Sequence, residues 1–215
     1  MKFLILFGPP GAGKGTVARK IERAISIATG DLFRDHLKRN SELGQKARAF
    51  MDDGKLVPDD ITIAMLKERL EQPDCQQAEL IILDGFPRTK PQAEAFLESF
   101  PEAEILTIYL SVKDDVIVNR LIGRWTCPKC KRTYNTNLHA AIIKGGNCVT
   151  EKCETPLERR PDDESEETIR TRLKVYHRET KPVLGFLREK KLTIKRVMGN
   201  KPPETVLKNV KKALG

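Results

Sequence analysis

Residues Gly8-Pro9-Pro10-Gly11-Ala12-Gly13-Lys14-Gly15-Thr16 stand between an apolar run, Lys2–Phe7, and a helical pattern that begins at Thr16. A strand that passes through a glycine-rich turn straight into a helix limits the chain to few architectures. Glycines let the backbone curl until successive N–H groups point inward, and the helix that follows adds the positive end of its dipole, so the turn can cradle phosphate oxygens. Lys14, spaced from Gly8 and Gly13 as in phosphate-binding loops, brings a mobile charge to the same place. The candidate contacts are Gly11, Ala12, Gly13, Lys14, Gly15 and Thr16. Position 15 is glycine where the general motif carries Ser or Thr to meet Mg²⁺, so the ion needs another partner. Asp84, at the end of the apolar run Leu80–Leu83, is the candidate, acting through water.

Other strand-like runs lie at Ile25–Ile27, Ile105–Leu110 and Leu192–Val197, and helical patterns separate them at Thr16–Ala24, Ile61–Leu70, Pro91–Glu98, Val112–Leu121, Thr168–Leu187 and Pro203–Leu214. Strands joined through helices need crossover connections, which favour a parallel sheet covered on both faces. The fold class is therefore α/β. Ser111 followed by Asp114 reads as a capping box opening the helix after Leu110.

Two stretches break the alternation. From Gly30 to Asp60 the pattern is only helical, with amphipathic segments at Asp31–Arg39 and Ser41–Asp53, which reads as a small helical insert. From Trp125 to Arg160 periodicity vanishes while Cys, Gly, Pro, Asn and Lys accumulate, so something other than an apolar core must order it. The 215 residues, 39% of them hydrophobic, suit one compact domain carrying such inserts. Phe3–Phe7 is too short for a signal or membrane-spanning segment, which points to the cytoplasm and to reduced thiols for the five cysteines. The net charge of +9 asks for an anionic partner without naming one.

Six segments together resemble the adenylate kinases, within the nucleoside monophosphate kinases: Gly8–Thr16, Thr29–Arg34, Gly54-Lys55-Leu56-Val57, Asp84-Gly85-Phe86-Pro87-Arg88-Thr89, Arg120–Arg124 and Arg160-Pro161-Asp162-Asp163. The resemblance runs to about residue 200. It implies a five-stranded parallel sheet flanked by helices, with a core of residues 1–28, 58–123 and 164–215, a nucleotide-monophosphate insert at 29–57 and a lid at 124–163. It implies Mg²⁺-dependent phosphoryl transfer from ATP to AMP, giving ADP, by a monomer without nucleic-acid or membrane partners. Lys14, Arg88, Arg124, Arg160 and Arg172 would be catalytic. Arg120, Arg124, Thr133 and Tyr134 would join the loop at ATP, while Thr29, Arg34, Lys55, Val57, Gly85, Arg88, Gln92, Arg160 and Arg172 would face AMP. Guanidinium groups suit this work because a planar fork grips phosphate in two places and stays charged. The chain departs from the family in a shorter stretch between Lys14 and Thr29, in Ala28 for a common Ser, and in Trp125 where relatives carry a second Arg.

Cys127-Pro128-Lys129-Cys130 and Cys148-Val149-Thr150-Glu151-Lys152-Cys153 resemble the zinc-bearing lid of some bacterial members. Two thiolate pairs can close a tetrahedron around structural Zn²⁺ and order a segment that lacks a core. The second pair is spaced by four residues rather than two, so Glu151 competes with Cys153 for the fourth place; Leu157 and Arg160 behind it favour Cys153. A disulfide or idle thiols remain alternatives. Other readings are a GTP-dependent or other monophosphate kinase, and a zinc-ribbon nucleic-acid binder. The segment Arg124–Arg160 carries eight basic and three acidic residues, more than half the chain's charge excess, which favours small phosphorylated nucleotides under a basic lid.

Overall fold

The computed structural model describes residues 1–52, 56–150 and 153–215, the side chains at 49, 51 and 52 excepted. Five parallel strands form one sheet: β1 (Lys2–Phe7), β2 (Ala24–Ala28), β3 (Leu80–Asp84), β4 (Glu104–Ser111) and, last in the chain, β7 (Thr193–Met198). Their order is β2-β3-β1-β4-β7, with Ile5 opposite Leu83 on one side and Thr107 on the other. Alternate residues of β1 bury on opposite faces. Phe3, Ile5 and Phe7 join Ile81, Leu83, Phe86 and Phe96, whereas Leu4 and Leu6 join Ile82, Ile108, Leu110 and Leu121. Helices therefore cover both sides, as an unbroken apolar strand demands.

The α/β class and the parallel sheet agree with the sequence reading, and several boundaries do not. The helix α1 is only Lys14–Ala18, and Ala24 already belongs to β2. Five residues must carry the chain from one to the other, and Arg23 adopts a left-handed φ of 54° to do so. Ser111 does not cap a helix: it is the last residue of β4, its hydroxyl accepts from Arg196, and α7 (Asp114–Ile122) starts after Lys113 without a side-chain cap. The long expected helix Thr168–Leu187 is broken into α9 (Glu166–Val175), a π turn (Tyr176–Thr180) and α10 (Val183–Glu189). Pro182 has no N–H to continue the ladder, and the Lys181 amide reaches back to Tyr176 O instead.

Between β2 and β3 run α2 (Thr29–Lys38), α3 (Glu42–Asp52), α4 (Asp59–Leu70) and α5 (Pro73–Gln76). Phe33, Ala47, Val57, Ile61 and Met65 give this excursion its own small core. Cys75 lies fully buried in α5. The helix α6 (Lys90–Ser99) leads from β3 to β4. After α7 comes a two-stranded hairpin, β5 (Arg124–Thr126) with β6 (Thr133–Asn135), then α8 (Ala140–Gly145). That hairpin was not visible in the pattern, because three-residue strands show no period. The chain closes with α11 (Pro203–Leu214). Among the described residues, no helix is long and apolar enough to cross a membrane.

Candidate active site

The strands β1, β3 and β4 all end at one edge of the sheet, and the loop Gly8–Gly13 lies there, so its backbone opens into a cleft of about 810 Å³. Open parallel sheets bind ligands at this edge. Lys14 at the start of α1 folds back, and its Nζ donates to Gly8 O and Pro9 O at 2.9 Å each. Burial lowers its pKa to about 8; Asp84 opposes that shift, and Arg88, Arg172 and Arg124 add to it. A Cβ at position 15 would stand 3.2 Å from Asp84 Oδ2, so glycine there is the residue that leaves room for this carboxylate. Where other phosphate loops place a hydroxyl, this chain brings a carboxylate oxygen from β3. A hard oxygen donor beside a phosphate cradle fits Mg²⁺.

Opposite the loop, the turn after β3 positions Arg88. Its Nε donates to Gly85 O at 2.8 Å and its Nη2 to Thr29 Oγ1 at 3.2 Å. Gly85 holds a φ of +79°, and a Cβ there would come within 3.1 Å of Arg88 Nη2 and 3.2 Å of Thr29 Oγ1. Burial, and then Arg172, lowers the Arg88 pKa, the signature of a cation awaiting an anion. Arg34 lines the same wall and pairs with Asp31. Thr29, Val57 and Gln92 do not line the cleft; each is at most 5% exposed and packs just behind it. Lys55 falls outside the described residues.

The third wall comes from the hairpin side. Asp163, with no exposed surface, accepts from Arg124 Nε at 2.6 Å and from Arg172 Nη1 at 2.8 Å, and Arg124 Nη2 stands against the same carboxylate as an ion pair without a hydrogen bond. Arg172 Nη2 also reaches Asp162 at 2.8 Å. Burial pushes the Asp162 pKa up, but Arg172, Arg124 and Arg160 outweigh it and hold the carboxyl below its usual range. Arg160 is held to about 10 by burial and by the repulsion of Arg124 and Arg34. Arg120 donates to Gly199 O at 2.8 Å, and burial lowers its pKa too. Thr133 borders the cleft, as does Tyr134, but the Tyr134 ring is 3% exposed and its hydroxyl sits 3.1 Å from Cys148 Sγ.

Cys127, Cys130, Cys148 and Cys153 bring their Sγ atoms within 4.8 Å of one another. Cys127–Cys153 and Cys130–Cys148 are each 3.5 Å apart. Zn–S bonds near 2.3 Å give tetrahedral sulfur edges of about 3.8 Å, so the donor set suits that ion. All four thiols are free. Burial raises the Cys127 pKa, while at Cys148 the hydroxyls of Thr150 and Tyr134 outweigh burial and lower it. Glu151 lies outside the described residues. Tyr134 and Leu157 pack against the thiols, so the segment has a small core only around sulfur.

Sequence reasoning missed Arg19, whose Nη1 comes within 3.5 Å of the Cβ position of residue 15, and Arg159, whose Nη2 holds Asp163 O and Ile122 O at 2.7 and 3.0 Å. It also assigned nothing to Asp163; an acidic pair directly behind Arg159-Arg160 was the available signal. A phosphate loop on a parallel sheet, faced by arginines from an inserted helical excursion and from a cysteine-bearing hairpin, defines a P-loop kinase of small phosphorylated acceptors. A family model described as adenylate kinase matches residues 6–192. The chain is 39% identical to an adenylate kinase of Caldanaerobacter subterraneus subsp. tengcongensis, over 98% of this chain and 95% of that one. It is 40% identical to one of Lachnospira eligens, over 99% of each, and 41% identical to one of Thermotoga neapolitana, over 100% of this chain and 98% of that one. The chain belongs to the adenylate kinase family. The zinc-ribbon alternative leaves Gly8–Thr16 and Asp84–Thr89 without a role, and the family match displaces it.

Proposed function

We propose that this protein transfers the terminal phosphoryl group of ATP to AMP, reversibly and with Mg²⁺, giving two ADP. The observation that carries the reading is the cleft: one phosphate loop faces arginines delivered by separate chain segments. Two polyanions have to meet in line with water excluded, and no protein nucleophile is required. In this reading Lys14 and the backbone of Gly11, Ala12, Gly13, Gly15 and Thr16 take the ATP phosphates, and Arg120, Thr133 and Tyr134 flank its nucleoside. Arg34 and Arg88 hold the AMP phosphate, with Thr29, Lys55, Val57, Gly85 and Gln92 around the rest of that nucleotide. Arg124, Arg160 and Arg172 serve the group in transfer. Asp84 would hold Mg²⁺ through water, and the ion would spread the charge of the phosphate oxygens.

The same reading takes 29–57 as the acceptor insert and 124–163 as a lid that excludes water, both carried on a core of 1–28, 58–123 and 164–215. Cys127, Cys130, Cys148 and Cys153 would hold a structural Zn²⁺, since four protein ligands leave no place for substrate. The protein would act in the cytoplasm as a monomer, which leaves insert and lid free to close. A coupled assay tests the reaction. ATP with AMP and magnesium should give two ADP per AMP consumed, and absence of ADP would overturn the proposal. Equal rates with GTP for ATP, or with CMP for AMP, would move it to another monophosphate kinase.

A further inference from the structure

Gln92 is 2% exposed, and both ends of its side-chain amide are engaged. Its Oε1 accepts from the Arg88 backbone N–H at 2.7 Å, and its Nε2 donates to Asp59 Oδ1 at 2.7 Å. Neither partner can change role: a backbone N–H only donates and a carboxylate oxygen only accepts. The amide is therefore locked in one of its two orientations. Asp59 is itself held, because Thr89 Oγ1 donates to the same Oδ1 at 3.0 Å while accepting from the Gln92 backbone N–H at 3.2 Å. Asp59 is the first residue of α4, where the helix dipole favours a negative charge, and it follows Leu56–Pro58 directly.

We infer that Asp59 is a specificity-determining residue: by locking the Gln92 amide it makes the acceptor site select a 6-amino purine over a 6-oxo purine. The inference rests on the proposed seating of the acceptor base at Gln92, which packs just behind the cleft wall, so the base has to displace part of that wall to reach the amide. One lone pair on Oε1 and one hydrogen on Nε2 remain for a base. An adenine offers a donor at its 6-amino group beside an acceptor at N1, and the amide answers with one acceptor and one donor. A hypoxanthine offers the reverse, an acceptor at O6 beside a donor at N1. To serve it at the same place the amide must turn over. That would set Nε2 against the Arg88 N–H and Oε1 against Asp59 Oδ1, two like-with-like contacts in a buried place. Such mismatches are what a hydrogen-bonding pocket uses to reject a near isostere.

Asp59→Asn keeps the shape, and with its Nδ2 in the Oδ1 place it can donate to a turned Gln92 while the Thr89 hydroxyl accepts instead of donating, so one of the two locks is gone. The measurement is kcat/KM for AMP and for inosine monophosphate with saturating ATP, in the parent, in Asp59→Asn and in Asp60→Asn. Asp60 is the exposed neighbour in the same helical turn and controls for the lost charge. The AMP-to-IMP ratio should fall about tenfold or more in Asp59→Asn, with the KM for ATP unchanged, and should hold in Asp60→Asn. Should Asp59→Asn fail to fold, Asp59→Ser, a residue favoured at helix starts, makes the same comparison. An equal loss for both acceptors, or an unchanged ratio, would mean that Asp59 is only a prop and would overturn the inference alone. A parent protein that makes no ADP from ATP and AMP would overturn the reading beneath it as well.

Discussion

Replacing Asp163 with asparagine tests whether the arginine cluster is held by one buried carboxylate. Asp163 takes two hydrogen bonds, one from each of two guanidinium groups, at 2.6 and 2.8 Å, and has no exposed surface. An asparagine fits the space, but it turns an NH₂ toward one of the two arginines, donor against donor. Breaking a buried ion pair from one side costs about 3–5 kcal/mol. The Arg124 and Arg172 side chains keep 14% and 21% of their surface exposed, so water in the cleft relieves part of that. A cost of about 2–3 kcal/mol is the expectation. For a chain of this size each kcal/mol lowers the melting temperature by about 2–4 °C, so Asp163→Asn should melt about 4–12 °C below the parent. Turnover should fall further than stability explains, by about 10²-fold in kcat, because two preorganised donors lose their aim. Thermal melting by circular dichroism and the ADP assay read the two effects. A variant that melts within about 1 °C of the parent and turns over normally would refute the argument.

Arg88→Ala should keep the circular-dichroism spectrum and most of the melting temperature while losing about 10²–10³-fold in kcat; an unfolded variant would make Arg88 a structural residue instead. The lowered Lys14 pKa gives a pH dependence. ATP binds the protonated amine, so its affinity is fully present below a pH of about 8 and is lost as pH rises through the pKa of the complex, which the phosphates lift above that of the free enzyme. The KM for ATP should accordingly climb in alkaline buffer, and Lys14→Met should abolish the climb along with most activity. Elemental analysis should find about one zinc per chain, and less than about half an equivalent would sink the metal assignment. Cys127→Ser should then lower both metal content and melting temperature.

How much of this was legible beforehand depended on where the local pattern set the outcome. Gly8–Thr16 and Asp84–Thr89 carry their geometry in their residue types, and the arginines flanking them could be placed by motif. The strand ends could be placed within a residue or two because β1 and β3 are continuous apolar runs. The end of α1 could not, since helix propensity through Arg19–Arg23 gave way to the need to enter β2 beside β3. Pro182 was a break signal that the expected helix Thr168–Leu187 passed over, and the tertiary fit decided that the break would be a π turn. Ser111 carried a helix-start signal that the β4–β7 pairing overrode. In the hairpin the cysteines announced a cluster, yet the burial of Tyr134 against Cys148 depends on the chain closing around sulfur. Asp163 and Asp59 received no role from the sequence because their partners lie far off, thirty-nine residues away in Arg124 and thirty-three in Gln92.

The central claim is that one cleft holds donor and acceptor together against a shared set of cations. A crystal structure with a two-adenosine analogue bridged by five phosphates tests it most directly. The phosphate chain should run from the Gly8–Thr16 loop past Lys14 to Arg88 and Arg34, with Arg124, Arg160 and Arg172 on its central groups and the acceptor adenine at Gln92. Phosphates seated away from these arginines, or two adenosines sharing one wall of the cleft, would contradict the account.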